Sequence, residues 1–227
     1  MKKETEKMII ELNKMVEFMD IDQSSKDVLR NHLRNILACE TNDAKCGKVD
    51  LYKFTSKDEL RPSLNGIYHK EGKVYATDGY ILCRLSRTYD EANEGKVIDK
   101  TGKEIEGRYP NADAVIPNTE RWKAIPADFG KINEARTMWA AHKKLYKKNA
   151  KGRFIIGNQE IAMDYLFMAA DLMKELGISE FLQSEDSYRP LTARDENNDI
   201  IIMPLIHYYK EWKKHEVDEP EYLFIEL

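Results

Sequence analysis

The spacing of apolar residues switches along this chain from helical to strand-like and back, and that order constrains the fold more than any other feature. In residues 3–19, Met8, Ile9, Leu12, Met15, Val16 and Met19 recur every three or four positions, which predicts an amphipathic helix. A second helix is predicted from about 26 to 39, capped by Ser24 or Ser25, with Val28, Leu29, Leu33, Ile36 and Leu37 as its stripe. From 49 to 87 the pattern becomes strand-like: Val49 to Phe54 alternates, Leu64 to His69 and Val74 to Thr77 follow, Asp78-Gly79 marks a tight turn, and Tyr80 to Leu85 resumes. Residues 88–95 read as a loop, 96–107 as two short strands around a Lys100–Lys103 turn, and Pro110, Pro117 and Pro126 punctuate an extended crossing segment.

Helical spacing returns at about 128–148, with Asp128 as cap and Ile132, Ala135, Met138, Trp139, His142 and Leu145 on one face. A strand at 154–156 precedes a helix at 162–176, which turns Tyr165, Leu166, Ala169, Leu172, Met173 and Leu176 inward and stops at Gly177. Strands are predicted at 178–184, 189–195 and 199–206, with a turn at Asn197–Asp199, then a short helix at 207–215 and an edge strand at 221–227. Runs of antiparallel strands kept apart from helices define an α+β chain rather than a doubly wound one.

Composition narrows the function classes. At 227 residues the chain has room for one large or two compact domains. No apolar run approaches the roughly 18–20 residues of a membrane span, and acids interrupt the basic start, so neither membrane nor signal segment is expected. Three cysteines without a metal-ligand partner set point to reduced thiols in a cytoplasmic protein. The five histidines are scattered, and no phosphate-binding glycine loop, zinc-protease or nucleophile-elbow motif is present. No metal or cofactor is expected. Enzymatic chemistry would need a site assembled from distant acids such as Asp78, Glu106 or Asp113.

The net charge of −4 gives no long-range attraction to DNA, so any nucleic-acid contact must come from a local patch. One candidate exists: Lys143, Lys144, Lys147, Lys148, Lys151 and Arg153, with no acid among residues 143–153. Phosphate attraction and ordinary lysine placement at a helix carboxyl end both account for it.

Three stretches together carry a family resemblance. They are Arg61–Ile67 followed by Val74–Leu82 (Leu-Asn-Gly, then Ala-Thr-Asp-Gly-Tyr), Ile105–Pro117 (Tyr-Pro, then Val-Ile-Pro), and Ile200–Leu205 (Met-Pro-Leu); a weaker fourth match is the helix carrying Tyr165-Leu166. In this order they resemble the bacterial β sliding clamps, the processivity subunits of the replicative DNA polymerase. The resemblance implies a DNA-clamp-like fold of antiparallel sheets with paired helices, in one to two abbreviated clamp domains. It implies a non-enzymatic role, in which short linear motifs of polymerases and repair proteins enter a hydrophobic pocket. By position, that pocket is assigned to Leu64, Thr77, Gly79, Tyr80, Ile81, Leu82, Pro110, Val115, Pro190, Ile201, Met203, Pro204 and Leu205. Duplex DNA and a homo-oligomeric ring are the further partners it implies.

The chain departs from that family at three places. Ile81 stands where clamps carry a basic residue, about twenty residues follow the Met-Pro segment, and the length is short of three domains. The organisation expected is an amino-terminal helix (1–22), a clamp-like domain equivalent with the crossing segment (23–126), a second clamp-like half (127–208) and a carboxy-terminal extension (209–227). A monomeric adaptor or decoy, of the kind a mobile element would carry, is the alternative to a ring.

Overall fold

The computed structural model describes residues 44–205 and 222–226, together with 8, 11–12, 14–19, 21–26 and 29. The expected helix at 207–215, most of the one at 26–39, and Cys39 lie outside the described residues. The chain divides into two units, one formed by 1–76 with 84–109 and the other by 77–83 with 110–227.

The first unit is built on short strands. A two-residue hairpin pairs β1 (Lys45–Cys46) with β2 (Val49–Asp50). The strand expected over 49–54 stops there, because the Asp50 carboxylate accepts the Tyr52 amide and turns Leu51–Phe54 into a 3-10 helix. This local capping competes with strand pairing, as Asp side chains do. A second 3-10 turn at Pro62–Leu64 leads into β3 (Ile67–Lys70), which pairs with β4 (Lys73–Thr77). The chain then forms β5 (Ile81–Ser86), β6 (Val97–Ile98) and β7 (Glu104–Ile105); β3 pairs β6, and β6 pairs β7. Gly66, just before β3, lies tightly against β6, since a Cβ there would sit 2.6 Å from the Ile98 carbonyl oxygen. Leu51, Phe54, Ile67, Val74 and Leu85 are fully buried, and Tyr68 stacks on Tyr109 at 4.6 Å.

In the second unit, β8 (Lys123–Pro126) is a strand the sequence reading missed, because its closing proline marks a breaker. It pairs β11 (Glu180–Gln183), which pairs β12 (Leu191–Arg194), which pairs β13 (Asn198–Ile202), all antiparallel. A second sheet holds β9 (Lys151–Ile156), β10 (Gln159–Ala162) and β14 (Tyr222–Glu226) in the order β10-β9-β14. Buried Gln183 joins the two sheets: its amide donates to the Ile156 carbonyl and, at 3.1 Å, to Gln159 Oε1.

Among the described residues, two α-helices complete this unit, α1 (Phe129–Tyr146) and α2 (Met163–Leu176). Asp128 caps α1 through the Lys131 amide at 2.9 Å, and Gly177, left-handed at φ 74°, ends α2, both as expected. The inward face of α1 is narrower than its spacing implied: Ile132, Ala135 and Trp139 are buried, whereas Met138 and Leu145 are exposed. Those two lie seven residues apart on a neighbouring strip, one that drifts off the buried stripe at 3.6 residues per turn. Arg136 fixes α1 to α2 by a two-pronged bond to Asp171 (2.7 and 3.0 Å) and by a bond to the Phe167 carbonyl. The core closes over Phe154, Ile156, Ile161, Leu166 and Phe181.

Near the amino terminus, the described residues of the first predicted helix are helical up to Phe18 and Met19 forms a bend; Met8, Leu12, Met15 and Met19 are exposed, and of the described residues there only Val16 is buried. The cap of the next helical stretch is Asp22, which accepts the Ser25 amide, rather than Ser24 or Ser25. Cys46 and Cys83 are buried and form no disulfide with each other.

Candidate functional site

The loop between Thr77 and Ile81, in the second unit, is held from three directions. Thr77 donates its hydroxyl to the Ile81 carbonyl at 2.6 Å and accepts the Gly79 amide at 3.0 Å. Asp78 Oδ1 accepts the amides of Tyr80 (2.8 Å) and Ile81 (3.1 Å), an Asx turn that Gly79 permits by taking φ 96°. The second oxygen, Oδ2, accepts the Tyr165 hydroxyl at 2.8 Å from the first turn of α2. Finally, the Tyr80 carbonyl accepts the Met203 amide at 2.8 Å, which ties the loop to the chain leaving β13.

These bonds bring Tyr80 and the Met203–Leu205 segment together. The Tyr80 ring stacks on Tyr165 with centroids 6.1 Å apart and is 60% exposed. Met203 and Leu205 are exposed by 37% and 36%, with buried Pro204 between them. Leu205 donates its amide to the Glu160 carbonyl of β10 at 2.8 Å, and the neighbouring Gln159 side chain donates to the Arg189 carbonyl, just before buried Pro190. The 203–205 and 189–190 segments therefore dock on the same strand. The outcome is a small apolar surface of Tyr80, Met203 and Leu205 on a rigid frame, the kind of surface that takes a hydrophobic side chain from a ligand.

The other residues assigned by position fall in different surroundings. Thr77 spends its hydroxyl within the loop, and Ile81, Leu82 and Ile201 are buried in the core. Pro110 and Val115 are exposed on the crossing segment, Val115 in a 3-10 turn over Ala112–Val115. The end of that segment is fastened by Arg194, which donates to Thr119 Oγ1 at 3.0 Å and to the Pro117 carbonyl at 3.4 Å while pairing with Asp199. Leu64 belongs to the first unit, where it is buried. Sequence reading missed the Asp78–Tyr165 clasp, since its partners are 87 residues apart. The local half of the signal, an Asp-Gly pair between strands, was visible.

The clasp shapes the titration of Tyr165. Burial, then the bond to the Asp78 carboxylate, push its hydroxyl well above the ordinary tyrosine value. A raised folded-state value means that the folded chain holds this proton more tightly than the unfolded one. The clasp therefore contributes its full stability below the unfolded pKa of about 10 and loses it as pH climbs above that value. In an alkaline titration followed by tyrosinate absorbance, Tyr165→Phe is expected to remove one late-titrating tyrosine. Tyr89, pushed up to about 12 chiefly by burial and by its bond to Glu94, is expected to remain. Loss of an ordinary tyrosine step instead would mean that the clasp does not form.

The basic stretch is partly committed to ion pairs. Lys143 binds Asp164 at 3.0 Å and lies over the Trp139 ring, whose Nε1 donates to the same carboxylate. Arg153 pairs with Glu160 at 3.2 Å, with side chains only 12% and 11% exposed. Lys144 lies in the last turn of α1, Lys147 and Lys148 occupy the 3-10 turn at Lys147–Asn149, and Lys151 opens β9; all four are exposed. Of the acids considered for catalysis, Asp78 is engaged by three donors, and Glu106 is exposed in the loop after β7. Asp113 sits in the 3-10 turn of the crossing segment. Among the described residues, no group of three or more His, Cys, Asp or Glu is placed to hold a metal ion, and no helix is long and apolar enough to cross a membrane.

The molecule has the α+β fold of sliding-clamp domains: mostly antiparallel sheets with few helices. No protein-family model matches the sequence, and no curated protein matches it. Among solved structures, it is similar to DNA polymerase III subunit beta from Borrelia burgdorferi, solved with a natural product, at a TM-score of 0.51 and 14% identity over 68% of this chain and 58% of that one. The β sliding clamp of Caulobacter crescentus is similar at a TM-score of 0.50 and 17% identity, over 69% of this chain and 62% of that one, both in a structure with polyethylene glycol bound and in a second structure. The likeness is one of fold, and the chain spans about three-fifths of these clamps' length.

Proposed function

We propose that this chain is a sliding-clamp-like protein of DNA replication or repair that works by binding rather than by catalysis. Its Tyr80–Met203–Leu205 surface receives short linear motifs of DNA polymerases or repair proteins, with a Leu or Phe of the motif against the methionine. The observation that carries this reading is the Met203–Tyr80 backbone bond. It joins two distant stretches, both of which resemble clamp segments, and leaves their apolar side chains exposed. The role places the protein in the cytoplasm with the replication machinery. Lys144, Lys147, Lys148 and Lys151 supply non-specific attraction to duplex phosphates, which weakens with salt.

The test is a titration of a fluorescent peptide of the Gln-Leu-x-Leu-Phe type against the unmutated protein and Met203→Ala. Saturable binding that weakens about tenfold in the variant, ~1.4 kcal/mol, is expected. Absence of binding by the unmutated protein contradicts the proposal.

A second reading keeps the peptide surface and drops the ring: a monomeric adaptor or decoy, such as a mobile element would encode, that engages clamp partners without encircling DNA. Mass in solution separates the readings, because a ring requires a stable oligomer at micromolar concentration.

A further inference from the structure

The carboxy-terminal strand β14 joins the second unit in an unusual way. The pairings of β9 with β10 and along β8, β11, β12 and β13 are antiparallel, but β14 lies parallel to β9, Tyr222 beside Lys151 through Glu226 beside Ile155. Sixteen residues, 206–221, separate it from Leu205, so it is not the return arm of a tight hairpin. A free strand edge is a template for pairing with another chain, and proteins blunt such edges with charge, proline or cover. The β8 edge carries Lys123 and Pro126, and on β10 the Glu160 carbonyl is taken by Leu205. The six-residue β9 has no proline, and its free edge is covered by β14.

The contact has the features of strand recognition, in which main-chain bonds supply affinity and alternate side chains supply specificity. Five consecutive residues are in register. Leu223, Phe224 and Ile225 are half-buried. Phe224 lies 5.8 Å from the Arg153 guanidinium, which Glu160 holds in place from the adjacent strand.

We infer that the β9 edge is a strand-binding site, that the chain carries its own ligand for it in β14, and that a second copy of the chain can supply the same strand by exchange. Sixteen residues span up to about 55 Å when extended, enough to reach a neighbouring copy as well as the same one. Being tethered by sixteen residues raises the strand's effective concentration at its own copy far above that of dilute protein, so it docks within its own copy in dilute solution and exchanges as the protein is concentrated. This edge is separate from the Tyr80–Met203 surface and does not depend on the peptide reading.

The test uses the full chain. Lys151→Cys with Tyr222→Cys places two thiols on neighbouring strand positions, and oxidation at micromolar protein is expected to give an intrachain disulfide, read as a monomer on a non-reducing gel with no free engineered thiol. Oxidation of concentrated protein is expected to add a cross-linked dimer. In parallel, Leu223→Pro with Phe224→Pro removes strand donors without shortening the chain. That variant is expected to bind a synthetic peptide of residues 221–227 at least tenfold more tightly than the unmutated protein, whose edge is filled. No cross-link at any concentration overturns the site, and no dimer in concentrated protein overturns the exchange. A folded proline variant that binds the peptide no better than the unmutated protein also overturns the site; if that variant does not fold, the cross-link decides.

Discussion

Phe154→Ala is expected to destabilise the protein by about 3–5 kcal/mol, the range for emptying a buried aromatic site. Phe154 is fully buried in the middle strand of the β10-β9-β14 sheet, pairing Ile161 on one side and Ile225 on the other. The lost side chain leaves a cavity that two pinned strands cannot close. At roughly 2–4 °C per kcal/mol for a chain of this size, the melting temperature should fall by roughly 6–20 °C. Calorimetry or denaturant unfolding measures this, with Phe18→Ala as control. Phe18 is 89% exposed, and its truncation should stay within about 0.5 kcal/mol of zero. A small effect at Phe154 would mean that β14 and β10 do not hold β9 as described.

The second large effect is expected at Asp78. Its carboxylate accepts the Tyr80 and Ile81 amides and the Tyr165 hydroxyl, and no other residue replaces it in Asp78→Ala. Leaving such donors unpaired costs about 1–3 kcal/mol where they are buried, and Ile81 is buried. The loop should lose its fixed shape, so peptide binding should weaken more than tenfold, beyond the effect of Met203→Ala, which removes a contact and leaves the frame standing. Asp78→Asn is expected to fall between the unmutated protein and alanine, since one carbonyl oxygen still serves the two amides. Equal binding by all three proteins in the fluorescence titration would show that the clasp does not shape the site.

The sequence revealed elements whose cause is local. Asp128 and Gly177 mark the ends of α1 and α2 through side-chain capping and a left-handed glycine, whereas the turn expected at Asn197–Asp199 falls earlier, at Asp195–Asn198, where the Asp195 carboxylate accepts the Asn197 and Asn198 amides and β13 already starts at Asn198. It misled where two local forces compete. Alternation over 49–54 reads as a strand, yet the Asp50 side chain captures the Tyr52 amide first. Pro126 reads as a breaker, yet an edge strand tolerates it at its end.

What stayed hidden depends on contacts between distant residues. The Asp78–Tyr165 bond, the Arg153–Glu160–Phe224 cluster and the parallel docking of β14 on β9 have no signature in spacing. The residues assigned to the site by resemblance divide for the same reason. Tyr80, Met203 and Leu205 form an exposed surface, whereas Ile81, Leu82 and Ile201 lie in the core. A linear pattern identifies which segments meet without saying which side chains they present.

The most direct measurement is photo-crosslinking with a Gln-Leu-x-Leu-Phe peptide whose phenylalanine is replaced by benzoylphenylalanine, followed by mass-spectrometric mapping of the adduct. The account predicts adducts on Tyr80 or within Met203–Leu205, abolished by excess unlabelled peptide. Competed adducts that map only to other segments, or no competed adduct at all, would contradict it.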